Sequence, residues 1–310
     1  MRVCLMIEGQ ESVEWPEWVA LARAAEAAGL DGFFRSDHYT SFHAAPGAAL
    51  DAWSTVTALA TLTQRIRLGT LVSPVTFRHP SVFARMVASA DRISNGRIDV
   101  GMGSGWNQQE HEQNGFDFPD LRSRYDLLEE HLEIVVRSWS GEAFDFAGKH
   151  YSLRGQRALP KPAQTPHPPI ILGGQAKPRA VELAVKYASE YNTMATSADE
   201  CRARRKVLDE ACSRAQRAPA SLELSIMTIV GLGDTHAEGK ESYRRALDAM
   251  PNSRDSLGAS LGQLVGSVDE VAATLREFER AGVRRIYCNH FDRGDRKAIE
   301  LMGKLARELA

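Results

Sequence analysis

Segments typical of β-strands and of α-helices alternate along this chain from its first residues to its last. Several of the apolar, strand-like runs end in glycines or polar residues, as at residues 36–39 (Ser-Asp-His-Tyr) and 101–106 (Gly-Met-Gly-Ser-Gly-Trp), and a helical pattern follows each of them. Because the carboxyl ends of parallel strands converge on one mouth, groups placed there can form a common site. The alternation therefore predicts a parallel α/β enzyme with a cofactor across that mouth.

Eight repeats of strand and helix within 310 residues favour a closed (β/α)8 TIM-like barrel over an open, doubly wound sheet. The predicted strands are Arg2–Glu8, Asp31–Ser36, Arg67–Ser73, Ile98–Ser104, Ile170–Gly173, Tyr191–Ala195, Leu222–Val230 and Arg285–Asn289. The predicted helices are Trp18–Ala28, Asp51–Thr63, Ser81–Ile93, Leu121–Trp139, Pro178–Tyr187 and Arg296–Leu309. The first strand is not followed by the Gly-x-Gly-x-x-Gly pattern of dinucleotide-binding sheets, which weakens that alternative.

The spacing of the repeats indicates one barrel domain over residues 1–310 with two insertions on the catalytic side. The first insertion spans about 106–169 and contains a hairpin-like stretch at Phe144–Tyr151, and the second spans about 252–266. Long ordered insertions at the mouth of a barrel usually wall or cover a pocket.

Charge and composition exclude several classes of function. A net charge of −2 gives no general attraction to nucleic acid or to an anionic membrane, and no stretch has the ~20 apolar residues of a membrane span. No cluster of histidines predicts a metal site, and no Gly-x-Ser-x-Gly elbow supports serine hydrolysis. The four cysteines lack C-x-x-C spacing, so we expect free thiols in a cytoplasmic protein. They are Cys4, Cys201, Cys212 and Cys288.

The end of the second strand carries a candidate acid–base pair. His38 titrates near neutral pH and is suited to moving a proton beside a hydride acceptor. Asp37 is expected to orient His38 or to hold a cofactor hydroxyl. The alternative is a capping aspartate followed by a surface histidine, and the sequence alone leaves both interpretations open.

Two further strand ends are of interest for their backbone. Between Gly69 and Pro74 the third strand can present bare N–H and C=O groups to a planar ring, or it is an ordinary buried strand. The alternating glycines of 101–105 suggest that something approaches the backbone closely, with Trp106 over a ring, or else they form a tight barrel corner with a packing tryptophan.

The best candidate anion site follows the fifth strand. Pro178 suits the first turn of a helix, and the glycines before it are expected to leave amides for a phosphate. Arg179 adds positive charge, and the alternative is a plain turn with solvated basic side chains. The residues assigned to this site are Gly173, Gly174, Gln175 and Lys177.

Five segments of the chain, in this order, resemble the luciferase-like flavin and deazaflavin oxidoreductases. They are residues 31–39, 67–74 with 77–80, 94–97, 101–106 with Glu110, and 169–174 with 187–188. The resemblance implies a TIM-like barrel with the isoalloxazine or deazaflavin ring across its mouth and a non-prolyl cis peptide at Leu71–Val72. It also implies cofactor contacts at Asp37, Val72 and Gly105, with His38 in acid–base work.

Within this family, residues 36–39 together with Gly105 and Trp106 are most similar to the branch that uses coenzyme F420, a 5-deazaflavin. Sugar-phosphate dehydrogenases of that branch carry a catalytic glutamate where this chain has Trp106, and Glu110 does not obviously replace it. The resemblance thus implies F420-dependent hydride transfer on C=N, C=C or C=O groups, or the reverse reaction. Leu71, Val72, Ser73 and residues 103–106, which include Gly103, would hold the ring.

Two other functions remain open at this stage. An FMN-dependent monooxygenase with a separate reductase is the main alternative, and a cofactor-free partner subunit on the same barrel is a weaker one. A small-molecule substrate is expected without further identity, and homodimers are common in the family. Candidate pocket residues are Phe42, His43, Trp106, Phe116 and Phe118, with Asn289 and His290 after the eighth strand.

Overall fold

A computed structural model describes residues 1–41, 47–194, 197–249 and 264–310. Phe42 and His43, the end of the predicted sixth strand at Ala195, and most of the predicted insertion 252–266 lie outside these ranges.

Eight parallel strands close into a barrel in the order β1-β12-β9-β8-β7-β4-β3-β2, which confirms the predicted fold. The barrel strands are β1 (Arg2–Ile7), β2 (Gly32–Arg35), β3 (Arg67–Pro74), β4 (Ile98–Gly103), β7 (Ile170–Gly173), β8 (Glu190–Thr193), β9 (Glu223–Thr228) and β12 (Val283–Asn289). Outside the barrel, β5 (Phe144–Ala147) pairs with β6 (Ser152–Gln156), and β10 (Gly231–Gly233) pairs with β11 (Val265–Ser267).

The described helices cover the outside of the barrel or belong to the insertions. They are α1 (Trp15–Ala28), α2 (Ala52–Ala60), α3 (Pro80–Ile93), α4 (Gln108–Asn114), α5 (Leu121–Trp139), α6 (Pro178–Tyr187), α7 (Ala198–Arg214), α8 (His236–Asp248), α9 (Val268–Arg280) and α10 (Arg296–Glu308). In the described part of the chain, none of them is long and apolar enough to cross a membrane.

Helix ends differ from the predicted bounds where capping decides them. The first helix begins at Trp15 rather than Trp18, because Pro16 fits a first turn in which no N–H is needed. It ends at Ala28, as predicted, and is capped by Gly29, whose φ of 83° is the left-handed conformation that glycine adopts without a side-chain clash. The second helix ends at Ala60 rather than Thr63. Helices α5 and α6 have the predicted bounds.

The interior of the barrel is apolar in the middle and charged near the amino ends of its strands. Asp99 accepts a hydrogen bond from Arg285 at 2.9 Å, and Arg285 also lies 3.0 Å from Glu190. Burial favours protonation of Asp99, but Arg285 and Arg67 outweigh it and keep its pKa below the usual value. Since these charges are buried and paired, we assign the layer a structural role. Among the described residues, all four cysteines are free and buried.

The insertions leave the barrel at two places. The first contains α4, α5 and the β5–β6 hairpin, whose second strand starts only at Ser152, beyond the predicted stretch 144–151. A second excursion begins at β10 and continues through α8, and β11 pairs with β10 after it, while most of the predicted insertion 252–266 lies outside the described residues. The apolar run predicted as strand Leu222–Val230 therefore ends at Thr228, before a separate small sheet.

Candidate active site

A bulge in β3 forms the floor of the barrel mouth. The pairing of β3 with β4 shifts between Thr70 and Ser73, and the Leu71–Val72 peptide bond inside this bulge is cis. Val72 is half-buried, whereas Leu71 and Ser73 on either side are buried. This confirms the cis peptide that the family resemblance implied.

Gly103 of β4 keeps the bulge uncovered. A Cβ on Gly103 would lie 2.8 Å from Cγ2 of Val72, closer than real side chains pack. Gly105 follows with a φ of 79°, in the region that favours glycine, and a Cβ there would meet Thr76 Oγ1 at 3.2 Å. Side chains at these two glycines would therefore crowd Val72 and Thr76 at the mouth.

His38 and Glu110 form a hydrogen-bonded pair at this mouth. His38 Nδ1 lies 2.7 Å from Glu110 Oε2, and the Glu110 side chain is fully buried. The other carboxylate oxygen of Glu110 accepts hydrogen bonds from the backbone N–H groups of Tyr39 at 2.5 Å and Thr40 at 3.1 Å. Glu110 therefore fixes both the histidine ring and the backbone that follows it.

The pair is electrostatically coupled. Burial lowers the pKa of His38, but the hydrogen bond and the charge of Glu110 outweigh it, and the pKa is raised above 6.5. Burial raises the pKa of Glu110, and the bonds from His38, Tyr39 and Thr40 reverse this and lower it. Both shifts favour a protonated imidazole beside an ionised carboxylate.

Asp37 does not orient His38, contrary to one of the two roles expected for it. Its buried carboxylate accepts hydrogen bonds from Ser73 Oγ at 2.6 Å and from Arg78 Nη1 at 2.6 Å. Arg78 also donates to Tyr39 Oη at 2.8 Å and to Asp51 Oδ2 at 2.7 Å. Asp37 and Ser73, both predicted cofactor contacts, thus lie beneath the mouth and tie β2 to the loop after β3.

Trp106 lies beside the pair. Its ring is edge-on to the His38 ring at a centroid distance of 5.7 Å, and 64% of the residue is exposed. Phe116 and Phe118, two of the candidate pocket residues, take part in local side-chain packing. Phe116 packs on Phe77 at 5.0 Å, and Phe118 stacks on the Arg124 guanidinium.

The predicted anion site is only partly suited to an anion. Gly173, Gly174, Gln175 and Lys177 are exposed, and no side chain caps the start of α6. However, the amide of Gly174 donates to Asn192 O at 3.0 Å and is already used. Arg179 is paired with Asp126, whose pKa it lowers to about 2, so the arginine's charge is largely neutralised.

Glu110 is the functional residue that the sequence reasoning undervalued. It lies on α4, which Asn107 caps by accepting from the Glu110 amide at 3.3 Å. The family pattern includes Glu110, but 72 positions separate it from His38. Among the described residues, no group of three or more His, Cys, Asp and Glu side chains is arranged to hold a metal ion.

With the barrel and this site established, the class of protein follows from comparison with known families. The sequence model of the luciferase-like monooxygenase family matches residues 3–285. The chain belongs to this family, and its chemistry is that of oxidoreductases and monooxygenases.

Solved structures of similar shape include enzymes of both cofactor types. An F420-dependent secondary alcohol dehydrogenase in complex with an F420–acetone adduct is 17% identical, with a TM-score of 0.83 over 100% of this chain and 99% of that chain. The coenzyme F420-dependent tetrahydromethanopterin reductase from Methanopyrus kandleri is 20% identical, with a TM-score of 0.79 over 98% of each. The oxygenating constituent of 3,6-diketocamphane monooxygenase from Pseudomonas putida, in complex with FMN, is 19% identical, with a TM-score of 0.78 over 99% of this chain and 98% of that one. These likenesses establish the fold.

Proposed function

We propose that the protein is an F420-dependent oxidoreductase that transfers a hydride between the deazaflavin and a small organic substrate. The observation that carries the proposal is the His38–Glu110 hydrogen bond at the mouth of the barrel, in which Glu110 raises the pKa of His38 and so favours its protonated form. Reduction of a carbonyl requires a hydride on carbon and a proton on oxygen, and a positioned acid of this kind supplies the second.

The described residues fit a flat aromatic cofactor. Val72 on the β3 bulge is uncovered because Gly103 carries no side chain, and Gly105 brings the backbone close to the same space. We propose that Leu71, Val72 and the backbone of Gly103–Trp106 hold the ring, with the phosphate near the start of α6. When bound, the deazaflavin supplies the hydride, and the protein contributes orientation, a proton route and a pocket that excludes water.

The roles of the side chains follow from their contacts. The hydrogen bond between Nδ1 of His38 and Glu110 orients the imidazole ring, and we assign proton exchange with the substrate to this ring. Glu110 is a positioning residue, since it holds the ring and favours its charged form without being exposed itself. Arg78 and Ser73 fix Asp37, the residue next to His38, and so limit the movement of this strand end.

Titration of the cofactor-free protein tests the cofactor directly. We expect F420 to quench tryptophan fluorescence with an affinity at least about tenfold tighter than FMN, a difference of ~1.4 kcal/mol. Trp106 lies beside the proposed ring and is the expected reporter. N-acetyltryptophanamide in the same titration corrects for absorption by the cofactor. Preference for FMN would instead establish an oxygen-using monooxygenase, and binding of neither would favour a partner subunit.

Replacing Glu110 tests the origin of the proton. The Glu110→Gln substitution removes the negative charge that raises the pKa of His38 and weakens the hydrogen bond to its ring. Burial of His38, which lowers this pKa, remains. In the direction of substrate reduction, kcat/KM requires protonated His38 and falls as pH rises through its pKa. We therefore expect this fall to move to lower pH in the variant, measured as a kcat/KM profile against pH.

Glu112→Gln is the matched control for that profile. Glu112 lies on the same short helix and is exposed, with its carboxylate bonded to Gln108. The control should retain the wild-type profile. An unchanged profile in Glu110→Gln would show that Glu110 does not set the protonation of His38.

The homodimer remains a prediction from the family resemblance.

A further inference from the structure

A cavity lies at the carboxyl ends of β1 and β12, next to the candidate active site around His38. It has a volume of about 280 Å³. Its polar and aromatic lining comprises Glu8, Glu11, Glu17, His290, Phe291 and Arg293. Glu8 directly follows β1, and the amide of the next residue, Gly9, donates to Ser36 Oγ at 2.8 Å. The cavity therefore adjoins the strand end that carries His38.

The cavity carries an excess of negative charge. Among the described residues that line it, Arg293 is the cation, and this arginine pairs with Glu17 at 3.0 Å. Glu8 accepts hydrogen bonds from Asn289 Nδ2 at 2.8 Å and Gln10 Nε2 at 3.1 Å, both neutral groups, and it forms no ion pair within the described ranges. Glu11 also lines the cavity, and its carboxylate accepts a hydrogen bond from Ser41 Oγ at 2.6 Å. A cavity with this lining repels anions and favours a cation.

Two buried polar atoms beside the cavity point to a missing partner. His290 is 6% exposed and lines the cavity, and its Nε2 has no hydrogen-bond partner among the described residues. The same holds for Oδ1 of Asn289, whose amide nitrogen holds Glu8. A buried polar atom without a hydrogen-bond partner lowers the stability of the folded protein unless a ligand or a water molecule forms that hydrogen bond. Burial lowers the pKa of His290 to about 4, so at neutral pH this ring is neutral and adds no positive charge.

We propose that this cavity is a substrate subsite for an organic cation, in which Glu8 holds a protonated amine or iminium group against the Phe291 ring. The aromatic face attracts a cation, and the carboxylate provides charge-assisted hydrogen bonds. The volume suits a small amine rather than an extended ligand. The inference rests on the proposed function, because it selects nitrogen-containing substrates among those that hydride transfer can use.

Calorimetric titration of the cofactor-free full chain with three matched probes tests the subsite. Pentylammonium, 1-pentanol and pentanoate share a chain length and differ in charge. We expect pentylammonium to bind at least about tenfold tighter than 1-pentanol, and pentanoate to bind most weakly, since a hydrogen bond between charged groups contributes ~1.5–3 kcal/mol. Equal affinity of the ammonium and the alcohol, or binding of neither, would overturn the proposal.

Variants locate the binding. Glu8→Gln should weaken pentylammonium binding about tenfold while leaving 1-pentanol nearly unchanged. Glu14→Gln, an exposed carboxylate at the start of α1 with no capping bond, removes the same charge outside the cavity and should bind like wild type. If Glu8→Gln does not fold, Phe291→Leu removes the ring and should weaken the ammonium selectively. If neither Glu8→Gln nor Phe291→Leu changed the affinity for pentylammonium, the cation would bind elsewhere.

The outcomes separate this proposal from the cofactor assignment. Ammonium selectivity that depends on Glu8, without binding of F420 or FMN, would support the subsite and contradict the proposed function. F420-dependent turnover of neutral ketones only, with no ammonium selectivity, would support the proposed function and overturn the subsite.

Discussion

Replacing His38 by alanine is expected to lower turnover by about 10²–10⁴-fold while the affinity for the cofactor changes by no more than about threefold. A positioned general acid contributes a rate factor of that size. The floor of the proposed cofactor site is formed instead by the β3 bulge and by Gly103. Turnover is measured by stopped-flow at saturating cofactor, and affinity by tryptophan quenching.

The fold should survive this substitution. Glu110 loses one partner but still accepts two backbone hydrogen bonds, from Tyr39 and Thr40. Its buried carboxylate therefore remains hydrogen-bonded. His236→Ala, a surface histidine paired with Glu270, is the matched control and should retain wild-type turnover. Partial recovery of His38→Ala by added imidazole would identify proton transfer as the lost step. Equal losses of turnover and of cofactor affinity would instead make His38 a cofactor ligand only.

The parts of this site that the sequence revealed are those encoded locally. Glycines and polar residues at strand ends predicted the mouth of the barrel, and His38 lies there as expected. The cis peptide at Leu71–Val72 came from resemblance to a family, because no single-sequence rule distinguishes such a bond from an ordinary buried strand.

The parts that the sequence did not reveal depend on distant pairing. Glu110 reaches His38 across 72 positions, and Arg78 reaches Asp37 across 41. A charged residue in a loop or short helix carries no local signal for the strand end that it will meet. Distant pairing can also make a local signal misleading. The position of Arg179 near the start of a helix suggested an anion site, but in the folded chain Arg179 pairs with Asp126.

Replacing Arg78 by methionine is expected to destabilise the protein by about 3–5 kcal/mol, because removal of one partner leaves a buried charge unpaired. The Asp37 side chain is 1% exposed and, of its hydrogen bonds with described residues, would retain only the one from Ser73. Arg78 is itself 9% exposed, so solvent screens its pair with Asp37 little. The free energy of unfolding from urea titration measures the loss.

Arg23→Met, an exposed arginine on α1, is the matched control and should change the free energy of unfolding by less than about 0.5 kcal/mol. Arg78→Lys should recover only part of the loss, because an ammonium cannot reproduce the bonds from both guanidinium nitrogens to the two oxygens of Asp37, at 2.6 and 3.1 Å. A loss below about 1 kcal/mol in Arg78→Met would place the pair in the class of exposed ion pairs. The ion pair of Asp37 with Arg78 would then contribute little to holding the strand end that carries His38.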